Sequence, residues 1–283
     1  TNWSGATAWH WNPAASWSGE SSYEKFFGQY DSETRGWDEA AYNAPYYLIF
    51  KSAANERTDN PTAGNTVYYS TNGGASWNSI TYSTSTCPNG DGITKSGYDT
   101  IATYGVAKNI MAVGAVNDAV SGGVRYLPNA TMAGFSSWGP ADDGRIKPDI
   151  VTNGVNLYSC YNTNNSSYAT LSGTSMSCPG ASGSAILLAE YYGELFPGQA
   201  MRSSTLKALI IHTADDLGNT GPDYSYGWGL MNTQAAAALI KAQYDYPSET
   251  KILEGLLDTS NPSDSYIFEW DGTSPIRITL CWT

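Results

Sequence analysis

The sequence predicts an α/β domain built on a mostly parallel sheet flanked by helices, followed by the start of an all-β unit. Three observations carry that reading. A continuous apolar run at 46–52 has the signature of a strand buried on both faces, and an apolar strand at 110–116 and a short one at 146–151 follow it. Longer segments starting at Ser175, Thr205 and Met231 follow helical patterns. Beyond Ile252 the pattern changes to alternation, at 265–270 and 276–282, with a Gly272-Thr273 turn between them.

In chain order, residues 1–36 are rich in aromatic and turn-forming residues and read as an exposed loop. Trp37 to Ala44 is a short helix ended by Pro45. Tyr46 to Ser52 is the first core strand. Residues 59–98 show little periodicity, and their length marks a surface insertion. A short helical piece around Val106-Ala107-Lys108 leads into a strand at 110–116. Gly134 to Pro140 is a turn-rich joint before the strand at 146–151. Ser175 opens a helix, with Pro179 expected in a first turn where its missing amide leaves no bond unmade. Helices at 205–215 and 231–244 follow, and the domains divide as 1–247 and 248–283.

The 283 residues suffice for one large core, and 41% hydrophobic content makes the chain globular. No run of 18 apolar residues is present to span a bilayer. A net charge of −12 with only 14 Lys and Arg argues against nucleic acid and anionic membranes as partners. Charged residues are scarce at 14%, and the neutral polar composition suits a secreted, extracellular protein. The four cysteines have neither metal-type spacing nor the density of a disulfide scaffold. The chain opens Thr1-Asn2-Trp3 with no signal peptide, which suggests a processed or partial chain.

The most informative stretch is Leu171-Ser172-Gly173-Thr174-Ser175-Met176-Ser177-Cys178-Pro179. A serine at a helix N-terminus gains from the dipole and from amides able to hold an anion. This segment resembles the nucleophile segment of the subtilases, the subtilisin-like serine peptidases. Other segments resemble that family in the right order: Ser52-Ala53-Ala54-Asn55, Gly105 to Ala115, Phe135 to Pro140 with Asp143 to Ile150, and Tyr226 to Asn232. The match covers roughly residues 37–245. Thr1 to Gly5 looks like a degraded Ser-x-Gly stretch, and the residues after about 248 resemble an appended β-sandwich. Ala54 stands where the family uses Gly, and Thr152-Asn153-Gly154 where it uses Ala-Pro-Gly.

The resemblance implies a three-layer subtilisin-like fold, incomplete in this chain, and a serine endopeptidase acting on protein or peptide substrates. Ser175 would be the nucleophile and Asn55 an oxyanion donor. An alcohol needs a base that is itself oriented by a third group. Only His10 and His212 are present, and neither sits in the family's His-Gly-Thr-His setting. The expected base and its Asp therefore come from an N-terminal segment of the same protein, as a second partner or absent. Cys178 reads as a small buried hydrophobe. No cofactor is required for catalysis. Asp142, Asp143, Asp215, Asp216 and Asp223 form no spaced calcium loop and read as solvated turns, with structural calcium left open. Two alternatives stand beside this reading: a catalytically dead scaffold or regulator, and a sedolisin-type peptidase using Glu20 and Glu24.

Overall fold

The computed structural model describes residues 2–3, 6–7, 9–10, 27–69, 75–85, 87, 93 and 95–283. In chain order the elements are α1 (Ser32–Asn43), β1 (Phe50–Ser52), β2 (Thr66–Tyr69), β3 (Asn78–Thr81) and β4 (Met111–Val116). Then come β5 (Ile150–Asn153), β6 (Leu157–Cys160), β7 (Tyr168–Leu171), α2 (Thr174–Leu195), α3 (Ser203–Thr213) and α4 (Thr233–Asp245). The central sheet has the order β5-β4-β1 and is parallel throughout, with Phe50 beside Met111 and Ile150 beside Val113. All six residues of β4 are buried, as an apolar strand covered on both faces must be.

The main core lies where α2, α3 and α4 pack on this sheet, through Met111, Val113, Ile150, Ala185, Leu188, Ile210 and Ile240. Beneath it sits a buried ionic cluster. Asp149 accepts from Lys147 Nζ at 2.7 Å, from Lys207 Nζ at 3.0 Å and from the Ala112 N–H at 2.7 Å. Burial acts to raise the Asp149 carboxyl, but the two ammonium groups hold it below the usual carboxylate range. Burial pushes Lys147 down to about 8 against the attraction of Asp149. Lys207 also donates to the Lys108 and Ile110 carbonyls, so the cluster fastens β4, the entry to β5 and α3 together.

Several expectations are corrected. α1 begins at Ser32 rather than Trp37, because the Asp31 carboxylate accepts the Thr34 N–H at 2.8 Å and caps the helix. β1 covers only 50–52, and Tyr46 and Tyr47 are exposed, so the apolar run is not a strand buried on both faces over its whole length. Residues 59–98 are not without order: β2 and β3 pair antiparallel around a small cluster of Val67, Tyr82 and Cys87. Pro179 lies in the second turn of α2, where it withholds an amide from the Ser175 carbonyl. The hairpin expected at 265–270 and 276–282 does not form. Two strands with no third strand or helix to cover them are marginal in water. The Asp271 carboxylate does close the turn, taking the Thr273 and Ser274 amides.

Candidate active site

Ser175 is the second residue of α2, and its side chain faces solvent. The helix begins after Gly173, which takes φ +154 and offers no side-chain cap. The Met176 and Ser177 amides donate to the Gly173 carbonyl, which leaves the Thr174 and Ser175 amides for other acceptors. One of them, the Thr174 N–H, donates to Asn55 Oδ1 at 2.9 Å, and the Thr174 hydroxyl donates to the same oxygen at 2.9 Å. Two donors on one oxygen fix which end of the Asn55 amide is which. Nδ2, the donor end, is left facing the Gly173 turn. A methyl group on Gly173 would lie 3.6 Å from Asn55 Nδ2 and 3.7 Å from the Ser175 nitrogen. The space that bare glycine leaves at this point is thus within 4 Å of both nitrogens.

Asn55 reaches this position from the loop after β1, and the backbone there is unusual. Ala54 adopts φ +86, a left-handed conformation that a Cβ disfavours. Ser137 clamps it: its N–H donates to the Ala54 carbonyl, and its hydroxyl accepts the Glu56 N–H, each at 3.0 Å. Replacing the family's Gly with Ala has therefore not released the loop. Ser137 belongs to the Phe135–Pro140 joint, but no local sequence signal announces this clamp. Glu56 was also not singled out from sequence. It is half-buried next to Asn55, and burial first, then the charge of Asp59, raises its carboxyl.

The hydrogen bond of His212 does not bring it to Ser175. His212 lies near the end of α3, with Nδ1 3.0 Å from the Thr279 hydroxyl, and burial lowers its basicity. His10 lies in a short strand, Trp9–His10, parallel to β2. Glu20 and Glu24 lie outside the described residues, as do Thr1, Ser4 and Gly5. Cys178 is half-buried against the main core, and burial raises its thiol although Lys51 is near. Asp215 pairs with Arg125, and Asp143 pairs with Arg145 at 2.8 Å. Asp216 and Asp223 accept turn amides. Among the described residues no group of three or more His, Cys, Asp or Glu gathers where a metal ion could be held. Among the described residues no helix is long and apolar enough to cross a membrane.

Comparison with known proteins bears on this geometry. The model of the subtilase family matches residues 11–229. The chain belongs to the subtilase family. Over 147 residues this subtilase is 33% identical to serine protease AprX of Bacillus subtilis (strain 168), covering 48% of this chain and 31% of AprX. Over 129 residues it is 33% identical to Subtilisin DY of Bacillus licheniformis, covering 46% of this chain and 37% of that protein. The structure of the Clostridium perfringens CspB protease aligns with a TM-score of 0.44 and 25% identity, over 51% of this chain and 29% of that one. The chain thus spans about a third of the length of these curated relatives.

Proposed function

We propose that this chain is the nucleophile-bearing part of a serine endopeptidase. Ser175 Oγ attacks the carbonyl carbon of a substrate peptide bond and gives its proton to a histidine. The carbonyl oxygen becomes an oxyanion held by Asn55 Nδ2–H and the Ser175 N–H. As the tetrahedral adduct collapses, the C–N bond breaks and the histidine returns the proton to the leaving amine. Water then releases the acyl group by the same path in reverse. The observation that carries this reading is the Asn55 amide, whose acceptor end is occupied by Thr174 and whose Nδ2 lies, with the Ser175 nitrogen, within 4 Å of the place a Gly173 methyl would take.

The histidine and its orienting Asp are assigned to a preceding segment of the same protein. Two features support this. The outer edge of β1 is unpaired among the described residues, and an open edge is a template for another strand. On the outer side of α2, Ile186 and Leu187 are 68% and 60% exposed, an apolar surface that suits cover by further chain. Residues 248–283 are assigned to the start of a β-rich unit: Ile276, Ile278, Leu280 and Trp282 alternate along the chain with their side chains exposed. The composition supports secretion.

A serine-directed phosphonate tests the assignment. It should label Ser175 in the full-length protein, and Ser175→Ala should abolish both labelling and peptide cleavage. Stoichiometric labelling of the isolated 283-residue chain would place a base within these residues and remove the need for the preceding segment. No labelling of the full-length protein would favour a scaffold role instead. An activity optimum near pH 4 would favour the sedolisin-type alternative.

A further inference from the structure

The hairpin of β6 and β7 stands on the same turn as Ser175 and carries an aromatic surface that peptide hydrolysis itself does not require. Its root is tied to that turn: the Gly173 N–H donates to the Gly154 carbonyl at 2.8 Å, and the Asn156 N–H donates to the Ser172 hydroxyl at 2.9 Å. Tyr158 pairs with Thr170 and Cys160 with Tyr168, so Tyr158 and Tyr168 share one face on the diagonal. Their rings stack with centroids 5.5 Å apart and planes 22° apart. Both nonetheless remain largely in solvent, 72% and 56% exposed. A stacked pair that only held the hairpin would present some surface, but two broad aromatic faces left open are the composition of a binding surface.

We propose that the Tyr158–Tyr168 pair is a specificity platform that stacks on an aromatic side chain of the substrate polypeptide. This rests on the peptidase reading above. The occupant follows from position. Tyr168 is seven residues before Ser175, so the two are at most about 25 Å apart along any path of the chain. An extended substrate spans the same distance in about seven residues. A polypeptide with its scissile bond at Ser175 is therefore long enough, within about seven residues on one side, to reach the platform. Tyrosine rings suit this task because they offer large flat contact area with few rotatable bonds to freeze.

The test uses the full-length protein and two sets of peptides, otherwise alanine-rich, in which one Phe moves through the seven positions on either side of the scissile bond. At one position Phe should raise kcat/KM over Ala by about 3–10-fold, the range expected for an added aromatic contact. In the Tyr158→Ser, Tyr168→Ser double variant that ratio should fall to near 1. Cys160 is exposed on the same face, directly opposite Tyr168, so a bulky maleimide on its thiol should also suppress the ratio without any mutation. Binding of the same peptides to the Ser175→Ala protein separates the two claims. A Phe preference in binding that the double variant loses supports the platform even if no cleavage by Ser175 is found. A Phe preference that survives both treatments, or its absence at every position in the unmodified protein, overturns the proposal.

Discussion

Asn55 and Thr174, 119 residues apart in sequence, share one oxygen: Asn55 Oδ1 accepts both the backbone N–H and the hydroxyl of Thr174 at 2.9 Å. That pairing joins the loop after β1 to the first turn of α2. It also sets the direction of the Asn55 amide, which no other described group constrains.

Removing the donor should therefore act on turnover. Asn55→Ala in the full-length protein should lower kcat by about 10²–10³ with little change in KM, because the donor acts mostly on charge that develops in the transition state. That magnitude is already established for such a donor in a subtilisin and is carried over as a family expectation. Thr174→Val keeps the backbone donor and loses the hydroxyl, so its effect on kcat should be smaller. Steady-state kinetics on one peptide decides, and a change below about threefold for Asn55→Ala would remove Asn55 from the site.

Gly173 makes an independent prediction. An alanine there meets its neighbours at ordinary contact distances, 3.5 Å from Met176 Sδ and 3.6 Å from Asn55 Nδ2, so the fold should survive. The methyl group would stand within 4 Å of Asn55 Nδ2 and the Ser175 nitrogen, at a φ of +154 that only glycine adopts easily. Gly173→Ala should keep a cooperative thermal transition while losing phosphonate labelling of Ser175. Full labelling would show that the anion lies elsewhere.

Much of the architecture was legible because it rests on local pattern. The all-buried β4 announced itself as a continuous apolar run, and α3 and α4 were located to within two residues at each end. The misses have physical causes. The run at 46–52 counted tyrosines as core, yet Tyr46 and Tyr47 reach solvent. The start of α1 depended on one Asp31 cap, a signal of a single side chain. In the sequence, the proposed site residues Ser175 and Asn55 rest on resemblance alone. The contacts that orient them, from Thr174 and Ser137, join residues about 80 to 120 apart, and periodicity carries no trace of such distant pairs.

Ala54 offers a gain in stability. Its φ of +86 costs roughly 1–2 kcal/mol in a residue with a Cβ, while glycine would cost about 0.5–1 kcal/mol in chain entropy. Ala54→Gly should therefore stabilise the protein by up to about 1.5 kcal/mol, read from denaturant midpoints at unchanged m-value. A loss of stability would mean that the Ser137 clamp is fitted to the alanine and relaxes without it.

Glu56 predicts a pH dependence. Its carboxyl is raised above the ordinary value of about 4.3, chiefly by burial, so the folded state holds that proton more tightly than the unfolded state does. Stability therefore falls as pH rises from the ordinary range through the raised value, and the ionised form is the unfavourable one. Glu56→Gln should raise Tm at pH 7, and the gain should vanish near pH 3, below both the ordinary and the raised value, where the wild-type carboxyl is protonated in both states. An equal gain at both pH values would point to packing instead of charge.

The buried cluster around Asp149 should give the largest loss. Asp149 is the one carboxylate within 4 Å of Lys147 and Lys207 among the described residues, and all three side chains are buried. Asp149→Asn removes the negative charge and leaves two ammonium groups facing each other in the core. Breaking a buried pair from one side costs about 3–5 kcal/mol, because the remaining charge stays desolvated without a partner. Lys207 can still donate to the Lys108 and Ile110 carbonyls, whereas Lys147 Nζ makes no other hydrogen bond among the described residues, so Lys147 should bear most of the penalty. Adding Lys147→Met to Asp149→Asn should therefore recover part of the lost stability. Denaturant unfolding of the two variants measures this directly. If the double variant is less stable than Asp149→Asn alone, the cost arises from lost packing of the lysine stem and not from its unpaired charge.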